Sequence, residues 1–265
     1  MKTLLALLFL TFSLSADPNY HTLFEQFPEV MGRLGSWKRG EIEIATNPAE
    51  IKKIENHCYH KLLRKGFSTE EAKRYSRVGI VAEDQYWIWV RDAVYFPGGI
   101  MGTYERLLRK TGLIGPSGVV IFAVRDKKVV VNVNFRHTTR CWELELPRGG
   151  QRENETLEQA AKRELKEETG CIVKKFTFLG TVASGTGVIG GTRPVYFGTV
   201  TKKVARHLDE SEAIATSLEI SIEDLKEAFS KGYIILDVRG RKTKVFCRDP
   251  FLSYAILQAM WQKLI

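Results

Sequence analysis

Between Thr156 and Gly170 the sequence runs TLEQAAKRELKEETG, and no other stretch restricts the fold as tightly. Thr156 with Gln159 three residues on forms a capping box, and Gly170 is a stop, so a helix is expected over 157–169. Leu157, Ala160, Ala161 and Leu165 make its buried stripe. Glu164 and Glu168 stand four residues apart with Glu167 beside them, and like charges at such spacings repel by roughly 0.2–0.5 kcal/mol per pair. Either solvent screens them or something positive belongs among them. Three converging carboxylates offer hard oxygen ligands suited to Mg²⁺ or Mn²⁺.

The rest of the chain supplies a sheet for that helix to cover. From Val78 onward the pattern is of strands. YWIWVRDAVYF and IMGTYERLL flank Pro97-Gly98-Gly99 as a hairpin, and SGVVIFAV and VVVNVNF flank a turn at RDKK. In CWELELP, Trp142, Leu144 and Leu146 alternate with Glu143 and Glu145, the pattern of a half-buried strand with a polar face. KKFTFLGTVAS and RPVYFGTVTKK read as further strands around the glycine-rich GTGVIGGT. SIEDLKEAFSKG and DPFLSYAILQAMWQKLI read as helices, and VRGRKTK as a solvated basic loop. Antiparallel pairs with intervening helices suggest an α/β sandwich. Residues 17–78 read as a mainly helical extension: Asn47 and Pro48 open one helix, Gly66 closes it, and STEE at 68–71 caps another. His57 and His60 within it read as surface histidines.

At 265 residues the chain has room for one large domain, or one domain with an appendage. Lys and Arg outnumber Asp and Glu by 40 to 31, a surface that favours anionic partners. Residues 1–16 combine Lys2, an apolar run from Leu4 to Phe12, and small residues at Ser13, Ser15 and Ala16, the three parts of a signal peptide. Export to a secreted or periplasmic location is therefore expected, with a mature N-terminus near Ala16 or Asp17; a leader that does not function leaves the protein cytoplasmic. N-terminal sequencing of the mature protein decides this, and an intact Met1 counts against export. No second apolar stretch is long enough to span a bilayer, so none is expected in the mature chain. Cys58, Cys141, Cys171 and Cys247 lie far apart with no CxxC pair, which excludes zinc-type spacing and leaves the disulfide state open.

Gly149, five residues, Glu155, seven residues, then Arg163-Glu164-Leu165-x-Glu167-Glu168-x-Gly170 resembles the Nudix box at every fixed position but the last, where Cys171 stands in place of the usual aliphatic residue. The preceding strands, ending in ELPRGG, are similar to those of ADP-ribose pyrophosphatase-like members, and the resemblance covers roughly residues 79–265. It implies a Nudix-fold α/β/α sandwich with a mixed sheet over 79–265, the hairpin included, behind the helical extension. It also implies a Mg²⁺- or Mn²⁺-dependent hydrolase that cleaves a nucleoside diphosphate linked to another moiety, such as ADP-ribose. The products would be a nucleoside monophosphate and a phosphorylated remainder.

Carried over residue by residue, Glu164, Glu167 and Glu168 would bind metal with help from the carbonyl of Gly149, while Arg163 pairs with Glu155 to orient the loop. The general base is expected at Glu210 or Glu212 in the acidic LDESE segment, with Glu167 as the alternative. Arg136 would grip a phosphate, Trp87 would stack a base or pack in a core or dimer interface, and Glu145 would add a carboxylate or remain the strand's polar face. Similar enzymes often dimerise through the strands ahead of the box, so a homodimer is expected. ADP-ribose-specific members usually carry a proline about fifteen residues past the box; Thr186 stands at that place, which loosens the substrate assignment. The rivals are a non-catalytic module that binds nucleotides or RNA and a hydrolase of capped RNA or dinucleoside polyphosphates.

Overall fold

The structure is a computed structural model, and it describes residues 18–110, 118–210 and 212–265. The expected leader, 1–16, lies outside the described residues. Contacts divide the chain into two compact units, residues 1–113 and 114–265.

In the first unit, α1 (Pro18–Gln26), α2 (Pro28–Met31), α3 (Pro48–Arg64) and α4 (Thr69–Ser76) accompany a four-stranded antiparallel sheet of β1 (Glu43–Ile44), β2 (Gly79–Glu83), β3 (Trp87–Phe96) and β4 (Ile100–Arg109). The helices start where their caps dictate. Asn47 Oδ1 accepts from the Ala49 amide at 2.9 Å, and Ser68 and Glu71 close a reciprocal box. Ile51, Ile54 and Cys58 of α3 pack with Ile88, Val90, Ala93 and Leu108 of the hairpin, along with Tyr20 and Met31. The expected domain attached this hairpin to the chain that follows it. Its apolar side chains instead fill the core of the helical unit. Asp92, 1% exposed, accepts from Tyr20 Oη at 2.6 Å and Arg106 Nε at 2.6 Å, so the charge inside this core is paired.

The second unit begins with β5 (Val119–Arg125), whose residues are buried on both faces. Val119, Ile121 and Ala123 pack beneath α5 (Leu157–Thr169), while Val120, Phe122 and Val124 face α6 (Ile222–Lys231) and α7 (Pro250–Trp261). That two-sided burial is why the sequence shows an apolar run here and not an alternation. Asp126 and Lys127, both with positive φ, turn the chain into β6 (Lys128–Arg136). The nine-stranded mixed sheet is completed by β7 (Cys141–Glu145), β8 (Arg148–Gly149), β9 (Cys171–Val182), β10 (Arg193–Lys203), β11 (Ile214–Ser221), β12 (Tyr233–Val238) and β13 (Arg241–Phe246). β10 runs parallel to β5, and β13 parallel to β7. Residues 128–134 of β6 pair with β11 along one edge; the other edge meets β5 and then β7. The result is an α/β/α sandwich with a mixed sheet.

Two expectations need correction here. VRGRKTK is not a loop: Arg239 and Gly240, with φ of 54° and 81°, form the tight turn between β12 and β13. Glu143 and Glu145 are not a solvated strand face either, since they are 5% and 4% exposed and are neutralised by arginines. Cys58, Cys141, Cys171 and Cys247 are free thiols. Among the described residues no helix is long and apolar enough to cross a membrane.

Candidate metal centre and active site

Helix α5 is fixed at both ends before any ligand is considered. Thr156 Oγ1 accepts from the Gln159 amide at 3.2 Å, and Gln159 Oε1 accepts from the Thr156 amide at 2.7 Å. Gly170 ends the helix with φ of 73°, and a Cβ there would lie 2.1 Å from the Val204 carbonyl oxygen. Ala160, Ala161 and Leu165 anchor the helix on the sheet, which turns Glu164 and Glu168 inward until they are only 7% and 4% exposed.

Arg163 ties the preceding loop to this helix. Its Nε and Nη2 each donate to the Glu155 carboxylate at 2.8 Å, in the two-pronged geometry only a guanidinium provides. Nη2 also donates to the Gly150 carbonyl at 2.8 Å, and Nη1 to Glu164 at 2.7 Å and Glu167 at 3.0 Å. The pair holds the Glu155 carboxyl below its ordinary pKa, with the Arg163 hydrogen bonds as the largest cause. Glu167 also accepts from Arg152 at 3.3 Å.

Glu164, Glu168 and Glu212 form the cluster proper: one oxygen from each lies within 4.8 Å of the others. Glu212 arrives from the segment ahead of β11, far along the chain from the helix. Burial, as the largest cause, raises the pKa of all three carboxyls, and Glu168 rises well above the ordinary value under the added repulsion of Glu212 and Glu164. Glu168 is held in place by Asn132 Nδ2 at 2.7 Å and the Arg148 amide at 3.2 Å, and Ser217 Oγ donates to Asn132 Oδ1 at 2.6 Å. Gly149 borders the cluster, where a Cβ would fall 2.0 Å from the Glu164 carboxyl carbon, so only glycine leaves room for that carboxylate. Mutually repelling oxygen donors, two buried and one half-buried, suit a hard divalent cation.

The remaining candidates separate. Glu145 takes Arg136 through Nε at 2.8 Å and Nη2 at 2.6 Å, and Arg148 at 2.8 Å, so it serves as an anchor for arginines. Arg136 keeps its side chain 39% exposed on the face that carries the cluster. Glu210 is exposed and stands outside the cluster. Trp87 belongs to the first unit, where its ring carries the Arg109 guanidinium at 5.2 Å. Asn132, Ser217 and Asp249 escaped the reading of the sequence. Asp249 stands at the N-cap position of α7, but its carboxylate receives Arg148 Nη1 at 2.9 Å and the Leu146 amide at 3.3 Å and makes no cap hydrogen bond.

Residues 116–234 match the family model described as NUDIX domain. The chain is 30% identical over 112 residues to the ADP-ribose pyrophosphatase of Bacillus subtilis (strain 168), a match covering 41% of this chain and 60% of that protein's length. A crystal structure titled as an ADP compounds hydrolase superposes with a TM-score of 0.53 at 19% identity, over 71% of this chain and 92% of the other, a likeness of fold. The box spacing agrees with the family-model match, so residues 116–234 carry a NUDIX domain, on a fold shared with the solved hydrolase, and the chain spans three fifths of the length of the Bacillus subtilis relative.

Proposed function

We propose that the protein is a Mg²⁺- or Mn²⁺-dependent pyrophosphohydrolase that converts a nucleoside diphosphate derivative into a nucleoside monophosphate and a phosphorylated remainder. The observation that carries this reading is the convergence of the buried Glu164 and Glu168 and the half-buried Glu212 in a mutually repelling cluster. Glu164 and Glu168 would hold the ion, with the Gly149 backbone beside them and Glu167 on the outer side of the helix. Such an ion supplies charge neutralisation to a diphosphate and lowers the pKa of water.

The chain's own residues account for the rest. Arg163, gripping Glu155 and the Gly150 carbonyl, fixes the loop against α5 and keeps the carboxylates in register. Arg136, fixed by Glu145, presents a guanidinium edge to a phosphate. Glu212 is the carboxylate placed to accept the proton of the attacking water, because it meets the cluster from a different segment than the helical ligands. Glu210 is exposed, and Glu167 is engaged by Arg163 and Arg152, which leaves both worse placed for that role.

ADP-ribose is the first substrate to test: the Bacillus subtilis relative is named for it, whereas Thr186 occupies the place of the proline usual in specific members. Full-length protein is incubated with ADP-ribose, nucleotide sugars, dinucleoside polyphosphates and capped RNA, with and without Mg²⁺, and the products are identified by mass spectrometry. Metal-dependent release of AMP and ribose 5-phosphate from ADP-ribose is expected. Nucleotide binding without turnover of any compound would instead support a non-catalytic module.

A further inference from the structure

The sheet face that carries α5 does not end at the carboxylates. Alternation puts Asn132, Asn134 and Arg136 of β6, Glu143 and Glu145 of β7, Phe246 of β13 and Tyr233 of β12 on that face, opposite Val131, Val133, Leu144 and Val245 of the other core. Asn134, Glu143, Phe246 and Tyr233 are register partners in one row across the strands. Helices α6 and α7 pack on the opposite side. The outer strands are left open, with Ile235 of β12 54% exposed on this face.

Arg248, just past β13, crosses this open shelf. Its Nε and Nη2 reach the Glu143 carboxylate at 3.1 Å and 2.6 Å, and its guanidinium carbon lies 4.5 Å from the centre of the Phe246 ring. The fork and the ring fix the guanidinium plane in two ways, yet 51% of the side chain remains exposed. A planar cation seated on an aromatic ring and half exposed to solvent is a stacking platform. Lys244 adds positive charge beside it, 4.1 Å from the Tyr233 ring centre. β13 lies two strand spacings from β6, about 10 Å from the strand whose Asn132 anchors Glu168, a separation on the scale of one nucleoside monophosphate.

We propose that the Arg248–Phe246 platform is the seat for the aromatic base of the nucleotide half of the substrate, with the diphosphate lying toward Arg136 and the carboxylate cluster. This inference rests on the pyrophosphohydrolase reading and adds where the base is recognised. Stacking on such a surface accepts any base, so the hairpin of β12 and β13 would favour nucleotides over base-free phosphates without selecting sharply among bases.

The test uses full-length protein and two probes, AMP and ribose 5-phosphate, titrated calorimetrically. Arg248→Lys keeps a cation for Glu143 but removes the plane, and Phe246→Leu keeps apolar bulk but removes the ring. Wild-type protein is expected to bind AMP more tightly than ribose 5-phosphate. Each variant should weaken AMP roughly tenfold and leave ribose 5-phosphate unchanged, and KM for ADP-ribose should rise by a similar factor with kcat within about twofold. AMP affinity and KM at wild-type values in either folded variant would overturn the platform while leaving the hydrolase reading intact. AMP binding that needs Arg248 in a protein that cleaves no pyrophosphate would uphold the platform and sink the hydrolase reading alone.

Discussion

Replacing Glu168 by Gln should lower turnover at least ~100-fold and, in metal-free buffer, raise the melting temperature. The substitution removes a charge and little else. A glutamine Oε1 can still accept from Asn132 and the Arg148 amide, and at 4% exposure the volume is conserved. The activity falls because a metal-binding charge is lost; the stability rises because a buried, repelled charge is lost. The pH dependence follows from the sign of the shift. Burial raises the folded-state pKa of Glu168 above its ordinary 4.5, so the folded protein binds the proton more tightly than the unfolded chain does. Below about pH 4.5 the wild-type carboxyl is protonated in both states, and its destabilising effect vanishes. As pH climbs from there through the raised folded pKa, wild type loses stability relative to Glu168→Gln, and beyond it the gap stays constant. Saturating Mg²⁺ should reverse the order, since an ion at one hundred times its Kd stabilises by about 2.7 kcal/mol. Thermal melts of both proteins across pH, with and without Mg²⁺, check this. A variant no more stable than wild type at neutral pH without metal would contradict the buried-charge account.

Glu212→Gln should separate proton transfer from metal binding. A positioned general base contributes roughly 10²–10⁴-fold, and a fall in kcat of that order is expected with little change in KM. Glu164 and Glu168 remain in the variant, so the Mg²⁺-induced rise in melting temperature should persist, in contrast to Glu168→Gln. Glu210→Gln, on the exposed part of the same segment, should turn over within about twofold of wild type. Loss of activity in Glu210→Gln with normal activity in Glu212→Gln would reassign the base.

The helix at the centre of the site was legible because its cap, apolar stripe, acid spacing and stop are all local. β5 could be read as a strand from its unbroken apolar run, though not which neighbours it would have. The supports of the carboxylates were invisible for a common reason: each joins residues remote in sequence. Asn132 meets Glu168 only because β6 passes under α5, and Arg148 meets Asp249 only after the last strand has folded back. Glu143 and Glu145 alternated as a polar strand face should, but their arginine partners come from Arg136, Arg148 and Arg248, which alternation cannot foretell. The β12–β13 hairpin was hidden by composition, since Arg241, Lys242 and Lys244 resemble a basic loop and only Arg239-Gly240 hints at a turn.

Crystals soaked in Mn²⁺ and measured for anomalous scattering bear most directly on the claim that an ion belongs among these side chains. The expected result is a peak held by carboxylate oxygens of Glu164 and Glu168, with Glu212 facing it, and lost in Glu168→Gln. A map with no peak there, and with the three side chains turned apart into solvent, would contradict it.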